Sequence, residues 1–152
     1  MNIREANIDD SETIKRLIVS VLDEYGLKPD PGSTDKDLEN LDRNYKKNNG
    51  YFGVVEELGD IVATVGIYKI DGTTCELRKM YSHPSVRGQG LGKRLLKHAI
   101  EKAMALGYKE VVLETASPLK EAISLYKKYG FVEYKPAHLS SRCDQAFKLD
   151  LI

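Results

Sequence analysis

Apolar residues in the first part of the chain recur at three- and four-residue spacing. Ile14, Leu17, Ile18, Val21 and Leu22 share one helical face. Asp9 or Asp10 can cap this helix, because a side-chain oxygen there accepts from the unpaired first-turn amides, and Gly26 ends it. Asn2 to Ala6 reads as a short extended opening. Lys28-Pro29-Asp30-Pro31-Gly32 is a loop by composition. A second, more polar helix is predicted from about Thr34 to Lys47, with Leu38, Leu41 and Tyr45 on its inner stripe.

Three strands are predicted next. Tyr51 to Glu57 and Ile61 to Ile70 form a hairpin across Leu58-Gly59-Asp60, and Asp71-Gly72-Thr73-Thr74 turns into Cys75 to Tyr81. A helix follows from roughly Gly90 to Leu106, with Leu91, Leu95, Ala99, Ile100, Ala103 and Met104 inside and Gly107 as its C-cap. Val111-Val112-Leu113 is a buried strand. Pro118 to Tyr129 is a helix with proline at its start and Gly130 at its end. Phe131 to Tyr134 and Gln145 to Leu151 are the last strands. No repeat, low-complexity tract or linker interrupts the series. The expectation is one α/β (α+β) domain over residues 1–152, with six to seven mostly antiparallel strands and about four helices.

Length and charge narrow the function. A chain of 152 residues is the size of one domain with a real core. Its 23 basic residues balance 23 acidic ones, so no global field favours nucleic acid or an anionic membrane. Met1 to Asp10 is polar, unlike a signal peptide, and no apolar run is long enough to cross a bilayer. Cys75 and Cys143 lack paired-motif spacing and read as reduced thiols. The expected compartment is the cytoplasm, and either a monomer or a homodimer fits.

The segment Arg87-Gly88-Gln89-Gly90-Leu91-Gly92 carries the strongest chemical signal. Glycines between a strand and a helix N-terminus allow a tight turn in which consecutive amides point at one spot. The helix adds its unpaired amides and the positive end of its dipole, and Arg87 a full charge at the rim. That is an anion site suited to a phosphate or pyrophosphate. A dinucleotide fingerprint fails because Lys93 stands where its third glycine belongs. A Walker loop fails because Arg87 replaces its first glycine and Arg94 its hydroxyl residue. The plain alternative is a glycine-rich connector, at a heavy entropic cost.

The pattern [RQ]-x-x-G-x-[GA] fits at Arg87, Gly90 and Gly92, and here the sequence resembles the GNAT superfamily of N-acetyltransferases. Glu76 to Pro84 is similar to that family's fourth strand and the loop after it. Ala122 to Phe131 is similar to its later helix, with Tyr126 followed four residues on by Gly130-Phe131. The order of elements agrees over nearly the whole chain. The resemblance implies that acetyl-CoA is the cosubstrate, with its pyrophosphate on Gly88 to Lys93 and Arg87 at the edge. It also implies that Met80, Tyr81 and Ser82 pair their backbone with the pantetheine arm.

The implied reaction is direct acetyl transfer from a thioester to a primary amine of a small molecule or protein. The amine must lose a proton before attack, and the departing thiolate is best protonated. Strand amides would stabilise the developing oxyanion. Tyr126 matches the family tyrosine near the sulfur, and a phenol, with its ordinary pKa of about 10, holds its proton at neutral pH; the plainer reading is a packed helix aromatic. Tyr129 is expected in the core. Glu76 stands where some members keep a base acting through water, and Glu114 is a second candidate; either could instead be a solvated strand carboxylate. Many relatives have an asparagine seven residues before the tyrosine, where Leu119 stands here, so Ser117 or Thr115 would have to substitute.

Few other residues ask for chemistry. His138, Cys143 and Asp144 match no zinc spacing, and no metal is expected. His83 and His98 read as a loop residue and a surface helix residue. Arg142, in the long connection from Pro136 to Asp144, suits a carboxylate on the acceptor. Two rivals remain: a coenzyme A binding module or sensor without turnover, and a nucleotide-phosphate binder.

Overall fold

The computed structural model describes residues 2–151. Seven strands make one sheet: β1 (Ile3–Glu5), β2 (Tyr51–Glu57), β3 (Asp60–Lys69), β4 (Thr74–Ser82), β5 (Glu110–Thr115), β6 (Val132–Tyr134) and β7 (Gln145–Asp150). Their spatial order is β1-β2-β3-β4-β5-β7-β6. The β4–β5 pair is parallel and the other neighbours are antiparallel. A parallel pair needs a long crossover, and helix α3 (Leu91–Ala105) supplies it.

Alternation along the strands divides the apolar side chains between two cores. Val55, Ala63, Val65, Ile67, Cys75 and Leu77 pack with the α3 stripe and with Ile123 and Tyr126 of helix α4 (Lys120–Tyr129). Phe52, Val54 and Ile61 face the other way, against Ile14, Leu17, Ile18, Val21 and Leu22 of the N-terminal helix, α1 (Ser11–Glu24). The sheet is therefore covered on both sides, by α3 and α4 on one and by the N-terminal helix on the other.

Several local expectations are corrected. Asp10 is the N-cap residue of the helix Ser11–Glu24, but its side chain does not cap it: the carboxylate turns back to the Asn7 amide and Arg4, while Asn7 caps the preceding 3-10 turn Ile8–Asp10 by accepting from the Asp9 amide. The helix expected over 34–47 is three short pieces: a 3-10 turn Lys36–Glu39, a single α turn, α2 (Leu41–Asn44), and a 3-10 turn Lys46–Asn48. Asn40 divides the first two with an extended backbone and uses its side chain to cap the Arg43 amide. Asp35 and Asp37 in this segment are buried.

Met104 and Tyr129 are exposed. Tyr126 and Tyr129 are three residues apart, about 60° short of a full turn, so a stripe built on Ile123 and Tyr126 has rotated away by Tyr129. His98 is half-buried, and its ring nitrogen lies 2.7 Å from the Tyr51 hydroxyl.

Candidate active site at the split between β4 and β5

β4 and β5 pair at Thr74–Glu110, Cys75–Val111 and Glu76–Val112 and then part. Beyond Glu76, β4 stays with β3 and β5 stays with β7, so a wedge opens between two well-held strands. A bulge deepens it: Thr64 faces Tyr81 and Gly66 faces Arg78, leaving Lys79 and Met80 opposite Val65 alone. Lys79 takes a left-handed backbone, with φ of 55°. The Thr64 hydroxyl, fully buried, donates to the Lys79 carbonyl at 2.7 Å and holds the bulge. A bulge places neighbouring side chains on one face, and both Arg78 and Lys79 reach Asp37, at 3.9 and 3.2 Å.

Two cavities meet in this wedge. One, about 160 Å3, runs along Ser82, Arg87, Gly88, Gly90, Leu91 and Gly92. The other, about 310 Å3, is walled by Glu76, Glu114, Tyr126 and Arg142 among others. Met80, Tyr81, Leu119 and Ala122 line both, so a single molecule can extend from the glycine turn into the wider chamber.

The glycine turn has the geometry of an anion cradle. Gly88 and Gly90 have φ of 76° and 77°, a region that costs other residues about 1–2 kcal/mol. Gly90 is the N-cap of α3 and has no side chain to satisfy the first turn. The first intrahelical bond joins the Arg94 amide to the Gly90 carbonyl, so helix geometry offers no partner for the amides just before Arg94. No acidic residue occupies that first turn. Arg87, expected as a full charge at the rim, is tied down. It donates to the Ser82 carbonyl at 2.6 and 3.1 Å and to Glu24 at 3.0 Å, fastening the N-terminal helix to the end of β4. Gln89 and Lys93 flank the turn and line neither cavity.

Ser117 is not brought to the groove. Its hydroxyl donates to Asp144, whose other oxygen takes the Ser117 amide at 2.9 Å, and Ser117 lines neither cavity. Leu119, two residues on, faces both. The asparagine position of the family is therefore filled by an apolar side chain.

In the wider chamber Tyr126 and Glu76 approach from different sides of the sheet. Tyr126 belongs to the α3–α4 core, 94% of it out of solvent, with the Phe131 and Phe147 rings 5.8 and 6.4 Å away. Its hydroxyl makes no hydrogen bond among the described residues, and burial pushes its pKa well up, so it holds its proton firmly. Glu76 sits on the opposite face, paired with the Arg78 guanidinium, which lies 3.8 Å over the Tyr68 ring. Burial raises the Glu76 pKa; Arg78 pulls it down and the Glu114 charge pushes it up, and the net direction is upward.

A network absent from any local motif backs this chamber. Asp35 receives a two-point fork from Arg142 at 2.8 and 2.9 Å, and Lys79 lies 3.1 Å from it. Burial acts to raise the Asp35 pKa, but Arg142, the Asp30 amide and Lys79 outweigh it and hold the carboxyl at about 2. Asp37 accepts the Tyr45 hydroxyl on Oδ2, and its Oδ1 forms an ion pair with the Lys79 ammonium at 3.2 Å. The carboxylate that Arg142 grips is thus the chain's own, not one left for an acceptor. His138, Cys143 and Asp144 are not gathered: among the described residues no group of three or more His, Cys, Asp or Glu could hold a metal ion.

Comparison with known proteins agrees with this geometry. Residues 18–131 match the model of the acetyltransferase (GNAT) family. The chain is 41% identical over 134 residues to the uncharacterized N-acetyltransferase YjgM of Escherichia coli, covering 85% of this chain and 80% of that protein. A GNAT-family acetyltransferase from Staphylococcus aureus superposes with a TM-score of 0.91 over 99% of both chains at 26% identity. YncA of Salmonella typhimurium, solved with acetyl-CoA, superposes with a TM-score of 0.78 over 100% of this chain and 94% of its own at 23% identity. The chain belongs to the GNAT family of acetyltransferases.

Proposed function

We propose that this protein transfers an acetyl group from acetyl-CoA directly to a primary amine of a small molecule or protein. The observation that carries the reading is the continuous groove, with a phosphate-type cradle at Gly88–Gly92 and an acid and a base at its far end. A long cofactor with a pyrophosphate near its middle and a thioester at its tip matches that layout. Two structural relatives, from Salmonella typhimurium and Clostridium acetobutylicum, were solved with acetyl-CoA.

Each residue then has a task. The first-turn amides of α3 bind the pyrophosphate, and Arg87 holds the turn in place while lending positive charge beside it. The β4 edge from Met80 to Ser82 pairs with the pantetheine. Glu76 accepts the proton of the incoming amine through water, aided by a pKa raised by burial. The amine nitrogen bonds to the carbonyl carbon, the carbon–sulfur bond breaks, and Tyr126 gives its proton to the departing sulfur. Strand amides at the β4 bulge steady the charge that develops on the carbonyl oxygen.

Leu119 in the place of an amide side chain favours one alternative, a protein that retains the thioester as a sensor. The test is release of free coenzyme A thiol during incubation with acetyl-CoA and an amine panel. Amine-dependent release with an equal yield of acetylated amine supports the transferase. Binding of acetyl-CoA with no release above the buffer rate supports the sensor.

A further inference from the structure

The wider chamber contains an imbalance of charge. Its cations are Arg78, Lys79 and Arg142, and each already touches a carboxylate. Arg78 is matched to Glu76, Arg142 to Asp35, and Lys79 lies between Asp35 and Asp37. Three positive charges thus face Glu76, Asp35 and Asp37. Glu114 is the fourth carboxylate and has no cation within 4.0 Å among the described residues.

Its partners are neutral. The amide and hydroxyl of Ser140 both donate to Oε1 of Glu114, at 2.8 and 2.6 Å. Oε2 takes no hydrogen bond among the described residues. The nearby cation on β7, Lys148, sits 5.5 Å over the Tyr134 ring rather than on Glu114. Ser140 therefore fixes the Glu114 carboxylate in orientation and leaves its charge uncompensated. A partly desolvated negative charge of this kind attracts an ammonium and repels a second carboxylate far more strongly than it would in water.

We propose that Glu114 is a specificity residue that receives the positive charge of the acceptor and excludes acceptors bearing a carboxylate beside the amine. The acceptor class is then a primary ammonium free of a neighbouring carboxylate: an alkylamine, an amino-acid amide or a lysine side chain, but not a free α-amino acid. The occupied guanidiniums point the same way, because Arg142 is held by Asp35 and Arg78 by Glu76, which leaves neither for an acceptor carboxylate. The inference rests on the acyl-transfer reading above.

The test compares matched acceptors: phenylalanine with phenylalaninamide and 2-phenylethylamine, alanine with alaninamide, and a lysine-containing peptide with its acetyl-lysine form. The amides and amines, which carry an ammonium but no carboxylate, are expected to exceed the free acids in kcat/KM by at least tenfold. The peptide arm separates a protein acceptor from a small one. Glu114→Gln keeps the acceptor oxygen for Ser140 while removing the charge. It should raise the acceptor KM at least tenfold, bring the amide-to-acid ratio near unity and leave acetyl-CoA affinity unchanged, the last showing that the fold persists. Equal turnover of acids and amides, or an unchanged ratio in Glu114→Gln, overturns the proposal.

Should no acceptor turn over, the transferase reading fails first, and calorimetric binding of phenylalaninamide to the coenzyme A complex decides the role of Glu114. Binding by wild type that Glu114→Gln weakens at least tenfold supports it. Equal binding by the variant, or no binding of any amide or amine, overturns it.

Discussion

Glu76 and Tyr126 line one chamber from opposite faces of the sheet, meeting where β4 and β5 part. A closed sheet would keep their two faces apart. In the proposed reaction the split lets a thioester lie between a proton acceptor on one side and a proton donor on the other. Tyr126 is also held by Phe131 and Phe147, so its ring can lose the hydroxyl without losing its place. Tyr126→Phe should therefore lower kcat about 100-fold, the low end of what a general acid contributes, with acetyl-CoA affinity unchanged. Steady-state kinetics with equilibrium binding of acetyl-CoA checks both halves.

The proposed base, Glu76, has its own signature in pH. Burial raises the Glu76 pKa, so the carboxyl stays protonated to a higher pH than an ordinary glutamate. Only the ionised form accepts a proton, so kcat should fall with unit slope as pH drops through that raised value. Glu76→Gln should flatten this limb and lower kcat about 100-fold at neutral pH. A profile of log kcat against pH for both proteins tests it.

The cradle depends on backbone that only glycine adopts readily. At Gly90, with φ of 77°, a Cβ meets no atom within 4 Å, so the cost of alanine is conformational rather than steric. Gly90→Ala is expected to destabilise the protein by about 1 kcal/mol and to weaken acetyl-CoA binding tenfold or more, because the new methyl group projects beside the phosphate site. Urea denaturation and calorimetric titration separate the two effects.

The Asp35–Arg142 fork ties the loop after the N-terminal helix to the loop before β7, since Arg142 also donates to the Lys28 carbonyl at 3.1 Å. The folded Asp35 carboxyl titrates near 2 against an ordinary value of 3.8. A depressed carboxylate contributes stability that is complete above the unfolded pKa and is lost as pH falls through the folded one. Asp35→Asn should cost roughly 2 kcal/mol at neutral pH, and the gap from wild type should narrow between about pH 4 and pH 2. Denaturant midpoints across that window measure it.

Local features were readable before the structure. The glycine turn, the end of β4 and Tyr126 each lie in a short window whose spacing carries its meaning. The strands and the two later helices followed from alternation and helical stripes. The segment 34–47 did not. Its Asp35 and Asp37 look like a solvated helix face, and what buries them is Lys79 and Arg142, far along the chain. The Lys79 bulge left no mark either, because nothing in a lysine announces a left-handed backbone. Ser117 was drawn to Asp144 by a contact across the fold, leaving Leu119 at the groove. Acceptor-side chemistry was hidden for the same reason: it is assembled from four separate segments.

The account stands most directly on one experiment, the stoichiometry of coenzyme A thiol released to amine acetylated at saturating acetyl-CoA. It predicts one acetylated amine per thiol, with release that depends on the amine and falls about 100-fold in Tyr126→Phe. Acetyl-CoA that binds in the groove yet yields no amine-dependent thiol on a broad panel would contradict it.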